Sequence, residues 1–191
     1  MKSYILFLII IFPFSCFAQS KTVLYSVLES RKEIQFEKNS IIPFTGIAII
    51  NYANGNISVK STFVEGKRNG KEWIYFENGQ LKTESDYFDN KYNGIVRHFY
   101  PDGKLKSEET YKMDFKYGPA IYYFPNGKVE KKGNYFDCKE TGEWFFYHEN
   151  GFIESSGQFL ESEKTGVWKY FDNQGNLIKT EDFSVPVPII H

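Results

Sequence analysis

The sequence predicts an all-β chain in which six tandem β-hairpins of 24-residue period form an elongated single-layer antiparallel sheet. Three observations predict it. Gly46, Gly70, Gly94, Gly118, Gly142 and Gly166 stand 24 residues apart, and Gly55, Gly79, Gly103, Gly127, Gly151 and Gly175 repeat that spacing nine positions later. A fixed period in this range marks a repeat architecture. Aromatic residues make up 19% of the 191-residue chain, and aromatics favour strands over helices. Asx-Gly pairs then separate aromatic runs such as Trp73-Ile74-Tyr75-Phe76 from alternating runs, which is a hairpin signal.

The chain opens with Lys2, a nine-residue apolar run from Tyr4 to Phe12, a helix-breaking Pro13, and small residues Cys16 and Ala18 flanking Phe17. This is the pattern of a secretory signal over residues 1–18, cut after Ala18. The run is too short for a bilayer span, which needs about 20 apolar residues. The expected location is periplasmic or extracellular. Lipid attachment at Cys16 is disfavoured, because Pro13 stands where a lipoprotein signal carries an aliphatic residue. Cleavage leaves Cys138 as a single thiol, which cannot form an intrachain disulfide and reads as inert. Residues 19–45 lack the glycine registers but carry strand-like Tyr25-Ser26-Val27-Leu28 and Ile34-Gln35-Phe36, so they are expected to form an N-terminal cap. Residues 46–183 hold the six repeats, and residues 184–191, with two prolines, form a tail at the end of the array.

Positions within a repeat are counted here from its first glycine as zero. Position 11 is aliphatic throughout (Ile57, Leu81, Leu105, Val129, Ile153, Leu177), and position 17 is aromatic throughout (Phe63, Tyr87, Tyr111, Tyr135, Phe159, Phe183). Their even separation is expected to put both on one face of a strand. Pro101 and Pro125 precede the Asx-Gly pair. Proline suits the second place of a type I turn, with the next glycine left-handed, so three-residue loops closed by Gly55, Gly79, Gly103, Gly127, Gly151 and Gly175 are predicted. That turn pairs position 5 with position 11, as in Tyr75 with Leu81 and Phe99 with Leu105. Positions 4 and 6 are then expected to point away from the core. Tyr52, Phe76, Tyr100, Tyr122, Phe124, Phe146 and Tyr170 become a candidate partner-binding stripe. The competing expectation is that twist, the cap or self-association buries the stripe.

Gly70-Lys71-Glu72-Trp73, Gly142-Glu143-Trp144 with its Asn150-Gly151 turn, and the lead-in Ile42-Pro43-Phe44-Thr45-Gly46 together resemble the variant MORN repeat. The resemblance covers Pro43 to Phe183. It departs in detail: Trp73 sits one position later than Trp144 and Trp168, and repeats one, three and four lack Trp. It implies an elongated, twisted sheet of hairpins acting without catalysis in protein interaction or membrane-associated scaffolding. Many bacterial relatives carry a toxin–antitoxin label, which implies an antitoxin-like or immunity-like role against a partner toxin.

The residues themselves offer no catalytic constellation. His98, His148 and His191 are scattered, and the first two take strand positions that are aromatic elsewhere. There is no phosphate loop and no Cys/His cluster, so no metal and no cofactor is expected. Charge is balanced, 23 Lys+Arg against 24 Asp+Glu, which argues against nucleic-acid binding. The leading expectation is an exported, non-enzymatic scaffold that binds a protein partner through the aromatic stripe. The alternative is a wall module for carbohydrate or choline, since Thr141-Gly142-Glu143-Trp144 resembles such modules locally and cation–π cages need converging aromatics.

Overall fold

Turn chemistry sets the hairpins. The structure, a computed structural model, describes residues 21–184; the expected leader at 1–18 and residues 185–191 of the expected tail lie outside these. Within the described residues the chain forms fifteen strands, one 3-10 turn and no α-helix. Six hairpins follow in order. They are β4 (Gly46–Asn51) with β5 (Ile57–Val64), β6 (Lys67–Tyr75) with β7 (Leu81–Phe88), and β8 (Lys91–Phe99) with β9 (Leu105–Lys112). Then come β10 (Phe115–Tyr123) with β11 (Val129–Phe136), β12 (Lys139–Tyr147) with β13 (Ile153–Leu160), and β14 (Glu163–Phe171) with β15 (Leu177–Asp182).

All six hairpins carry the predicted three-residue loop. The Phe76 N–H donates to Gln80 O at 2.8 Å, and the Gly79 N–H donates to Phe76 O at 2.9 Å with Gly79 at φ 83°. The Asx residue does two things there. Asn78 Oδ1 accepts the Gln80 N–H at 3.0 Å, and Asn78 Nδ2 donates to Pro101 O of the next repeat at 3.4 Å. Asn54, Asn126 and Asn150 make the same link, to Glu77, Glu149 and Asn173. Asp102 has no amide to donate, and Lys104 Nζ reaches Pro125 O at 3.0 Å instead.

Successive hairpins are joined by two-residue turns with both residues left-handed, as at Asp89 (φ 53°) and Asn90 (φ 67°). This is the type I′ geometry, which matches the twist of the flanking strands. The second turn residue locks onto the preceding repeat. The Asn90 N–H donates to Arg68 O at 3.0 Å, while Asn90 Oδ1 accepts the Arg68 N–H at 2.7 Å. Asp114 and Ser162 repeat this reciprocal pair. Cys138 repeats it too, its Sγ accepting the Lys116 N–H at 3.3 Å. The thiol thus has a structural job in the turn.

The six hairpins and β1 (Thr22–Leu24) make one 13-stranded sheet in sequential order, with β1 parallel to β4 at one edge. Twelve strand spacings give a length of about 58 Å. The cap is more irregular than expected: Tyr25–Val27 is a 3-10 turn, and only β2 (Leu28–Arg31) and β3 (Ile34–Glu37) form a hairpin. That hairpin closes on the first repeats through Gln35 N–H to Gly66 O and Phe44 N–H to Gln35 O, both 2.8 Å. Leu28, Phe44, Ala48 and Phe63 form the buried cluster beneath it.

Two irregularities decide which side chains share a face. Ile74 pairs with Thr83 but Tyr75 pairs with Leu81, so Lys82 is an extra residue, and the same bulge recurs in every hairpin. An extra residue reverses the alternation of sides. Positions 11 and 17 therefore lie on opposite faces, which corrects the sequence expectation. Positions 2, 4, 13, 15 and 17 share one face, here called the packed face; positions 3, 5, 11 and 14 share the reverse face. The second irregularity sits at the first glycine: Ser85 pairs with Val96 and Tyr87 with Tyr92, leaving two extra residues around Gly94 at φ 131°.

The packed face is covered by its own side chains. Position 2 reads Ala48, Glu72, Val96, Ala120, Trp144 and Trp168, and position 15 reads Ser61, Ser85, Glu109, Gly133, Gly157 and Glu181. The two rows interleave across the sheet. Trp144 and Trp168, at 0% and 1% exposure, lie against Gly133 and Gly157. A Cβ on Gly133 would come within 2.2 Å of the Trp144 ring, and one on Gly157 within 2.4 Å of the Trp168 ring. The indole N–H groups donate to Asn134 O and Gln158 O, each at 3.1 Å.

Gly94→Ala adds a Cβ 2.7 Å from Asp86 Cβ in a backbone region closed to L-residues, whereas Gly127 (φ 84°) has open space around it. Urea unfolding should show Gly94→Ala destabilised by about 2–4 kcal/mol and Gly127→Ala by about 1–2 kcal/mol. Equal losses would show that crowding at the bulge is relieved without cost.

Candidate functional site

The predicted stripe divides once the bulge is accounted for. Tyr122, Phe146 and Tyr170, at position 4, lie on the same face as position 17 and not opposite it. Phe146 packs 6.2 Å from Trp144, 6.5 Å from Phe159 and 6.0 Å from Trp168, measured between ring centroids. Tyr122 and Phe146 border the buried cluster of Ala120, Tyr135 and Trp144. These rings help to build the fold. Tyr52, Phe76, Tyr100 and Phe124, at position 6, are half-buried beside the hairpin loops. Tyr52 Oη donates to Tyr75 O and Tyr100 Oη to Tyr123 O, each at 2.7 Å, so these tyrosines tie one repeat to the next. His148 occupies the same place, with Nε2 3.0 Å from Phe171 O.

Aromatic rings on the packed face already hold cations of the chain itself. Lys164 Nζ lies 4.2 Å from the Trp168 ring, 5.2 Å from Tyr170 and 5.5 Å from Phe183. Lys131 Nζ lies 4.6 Å from Tyr122. A choline-like ligand at the Trp168 cage would have to displace Lys164.

Two carboxylates are buried on this face. Glu72 accepts from Ser61 Oγ at 2.6 Å, with Arg68 and Tyr87 beside it. Glu109 accepts from Lys116 Nζ at 2.6 Å and from Tyr122 Oη. Burial alone would push the Glu109 carboxyl up, but the hydrogen bonds from Lys116 and Tyr122 and the Lys116 charge hold it below its ordinary 4.5. Burial also pushes Tyr122 and Tyr87 far above the ordinary tyrosine value, so both remain neutral donors. Both carboxylates are thus consumed by internal partners. Among the described residues, no group of three or more His, Cys, Asp or Glu is placed to hold a metal ion. An open polar cleft of about 650 Å³ lies between the cap hairpin and the second repeat, lined by Tyr25, Lys32, Glu33, Arg68, Asp89 and Lys91 among others.

A different surface emerges along the edge of the two-residue turns. Val64, Phe88, Phe136 and Leu160 all stand at position 18 and are 44%, 52%, 58% and 64% exposed. Lys112 takes that place in the third repeat, and Phe115 and Tyr117 across the turn restore the apolar surface, with Tyr117 5.1 Å from Phe136. The signal was available in sequence as a third register at the same 24-residue spacing.

Residues 68–90, 92–113, 116–137 and 140–160 match the MORN repeat variant. These segments cover the second to fifth hairpins. No curated protein matches the chain.

The Glu109 carboxyl is depressed in the fold, so its contribution is present above pH about 4.5 and is lost as pH falls through the lower folded value. Thermal melts of Glu109→Gln should be less stable than wild type at neutral pH, with a gap that narrows below pH about 4.5. A gap that stays constant into acid would remove Glu109 from the acid response.

Proposed function

Through its four matched units the chain belongs to the MORN repeat variant family, and we propose that it serves outside the cytoplasm as a non-catalytic scaffold binding a protein partner. The observation that carries this reading is the exposed apolar row of Val64, Phe88, Phe136 and Leu160. Scattered exposed apolar residues need no explanation, but a contiguous row of them marks an interaction site. The row holds an apolar residue in four of the six hairpins, with Phe115 and Tyr117 filling the gap at Lys112, and successive hairpins lie about 10 Å apart, so it suits an extended segment contacting several repeats in turn. It lies outside the buried clusters, so its apolar character is not required for packing. The leader pattern at residues 1–18 supports export.

The test separates the row from the stripe. Phe88→Ser/Phe136→Ser should lose capture of a partner from envelope and culture fractions while its unfolding free energy stays within about 1 kcal/mol of wild type. Tyr100→Ser/Phe124→Ser should lose stability, because Tyr100 bonds the next repeat. Capture lost only by the second variant, while still folded, would return the site to the stripe. Polysaccharide retention by all three without protein capture would favour the wall-module reading.

A further inference from the structure

One row of charges on the packed face has no ion-pair partner among the described residues. Position 12 reads Lys82, Lys106, Glu130 and Glu154 through the second to fifth repeats. All four side chains are exposed. None takes part in an ion pair among the described residues, although charges nearby are extensively paired. Lys71, Glu84, Asp86, Arg97 and Glu108 form a continuous network on the reverse face, and Arg68–Glu72 and Lys116–Glu109 pair on the packed face. The bulge places position 12 beside position 13 on the packed side. Lys82 Nζ accordingly lies 5.7 Å from the Phe76 ring, and Lys106 Nζ lies 5.8 Å from the Tyr100 ring.

The order of the signs is informative. Two cations are followed by two anions at equal steps of one repeat, about 10 Å each. A polymer carrying one sign of charge would be attracted by half of this row and repelled by the other half. A second copy of the chain, laid packed face to packed face by a two-fold axis that runs parallel to the strands between the two sheets and directly over β10, presents the reverse order. Lys82 then faces Glu154 of the second copy, Lys106 faces Glu130, and symmetry repeats both contacts. An isologous interface requires this self-complementarity. The same rotation exchanges β8 with β12 and leaves β10 facing itself, so Phe124 meets Phe124 of the second copy and Tyr100 meets His148, which supplies an aromatic component beside the charges.

We propose that the packed face of repeats two to five is a homodimer interface, with two copies antiparallel and their position-12 rows in charge register. This surface is distinct from the exposed row at the turn edge, which remains free in the dimer. The half-buried aromatics at position 6 thereby gain a covering.

Sedimentation of the purified exported protein tests this directly. The wild type is expected to be dimeric. Lys82→Glu/Lys106→Glu makes the row wholly acidic, and Glu130→Lys/Glu154→Lys makes it wholly basic. Each variant alone should dimerise at least about 100-fold more weakly, because like charges then face one another. An equimolar mixture of the two should restore the dimer as a heterodimer, which also shows that both variants fold. A monomeric wild type, a dimer that both variants retain, or a mixture that stays monomeric would each overturn the proposal.

Discussion

The fold depends on one constraint: a single sheet has no second layer to cover its apolar face. A lone hairpin is marginal in water, and about three core side chains per repeat cannot change that. Cover must come sideways, from neighbouring strands of the same sheet. The interleaved rows at positions 2 and 15 provide it. Where position 15 is Gly133 or Gly157, position 2 is a fully buried Trp. Where position 15 is Ser61, Ser85 or Glu109, position 2 of the next repeat is Glu72, Val96 or Ala120. The missing tryptophans of the early repeats are therefore matched to larger neighbours in the facing row.

Both long borders of the array are fastened by polar side chains acting on the next repeat. At the three-residue loops the Asn amides bridge to the following turn. At the two-residue turns the side chains of Asn90, Asp114, Cys138 and Ser162 accept backbone N–H groups of the preceding repeat. These residue types are chemically diverse, yet each offers one acceptor atom at the same place. The ends differ. The cap covers the first hairpins through Tyr25, Leu28 and Phe44, whereas Leu177 and Ile178 of β15 remain 56% and 64% exposed.

Much of this was legible in the sequence. The two glycine registers gave the period and the hairpin count, and Pro101 and Pro125 selected the loop type. The face assignment was not legible, because no residue announces the bulge at Lys82 or its equivalents. One unseen residue reversed the side of every position beyond it, and rings read as a binding stripe proved to pack beside Trp144 and Tyr135. A usable signal did exist in the glycines outside the two registers. Gly133 and Gly157 each stand 11 residues before a Trp, a spacing that the pairing turns into ring-on-backbone contact. Likewise, the turn-edge row was visible as a third 24-residue register. The identity of a partner is not written in such periodicities, since a repeat surface records spacing more clearly than chemistry.

The central claim is that ring and glycine are matched across the packed face, and a double-mutant cycle on Gly157 and Trp168 measures it. Gly157→Ala alone should lose about 1–3 kcal/mol through overpacking, and Trp168→Ala alone about 3–5 kcal/mol. In the Trp168→Ala background, Gly157→Ala should cost nothing further, giving a coupling of about 1–3 kcal/mol in urea unfolding. Losses that simply add, to within about 0.5 kcal/mol, would contradict the account.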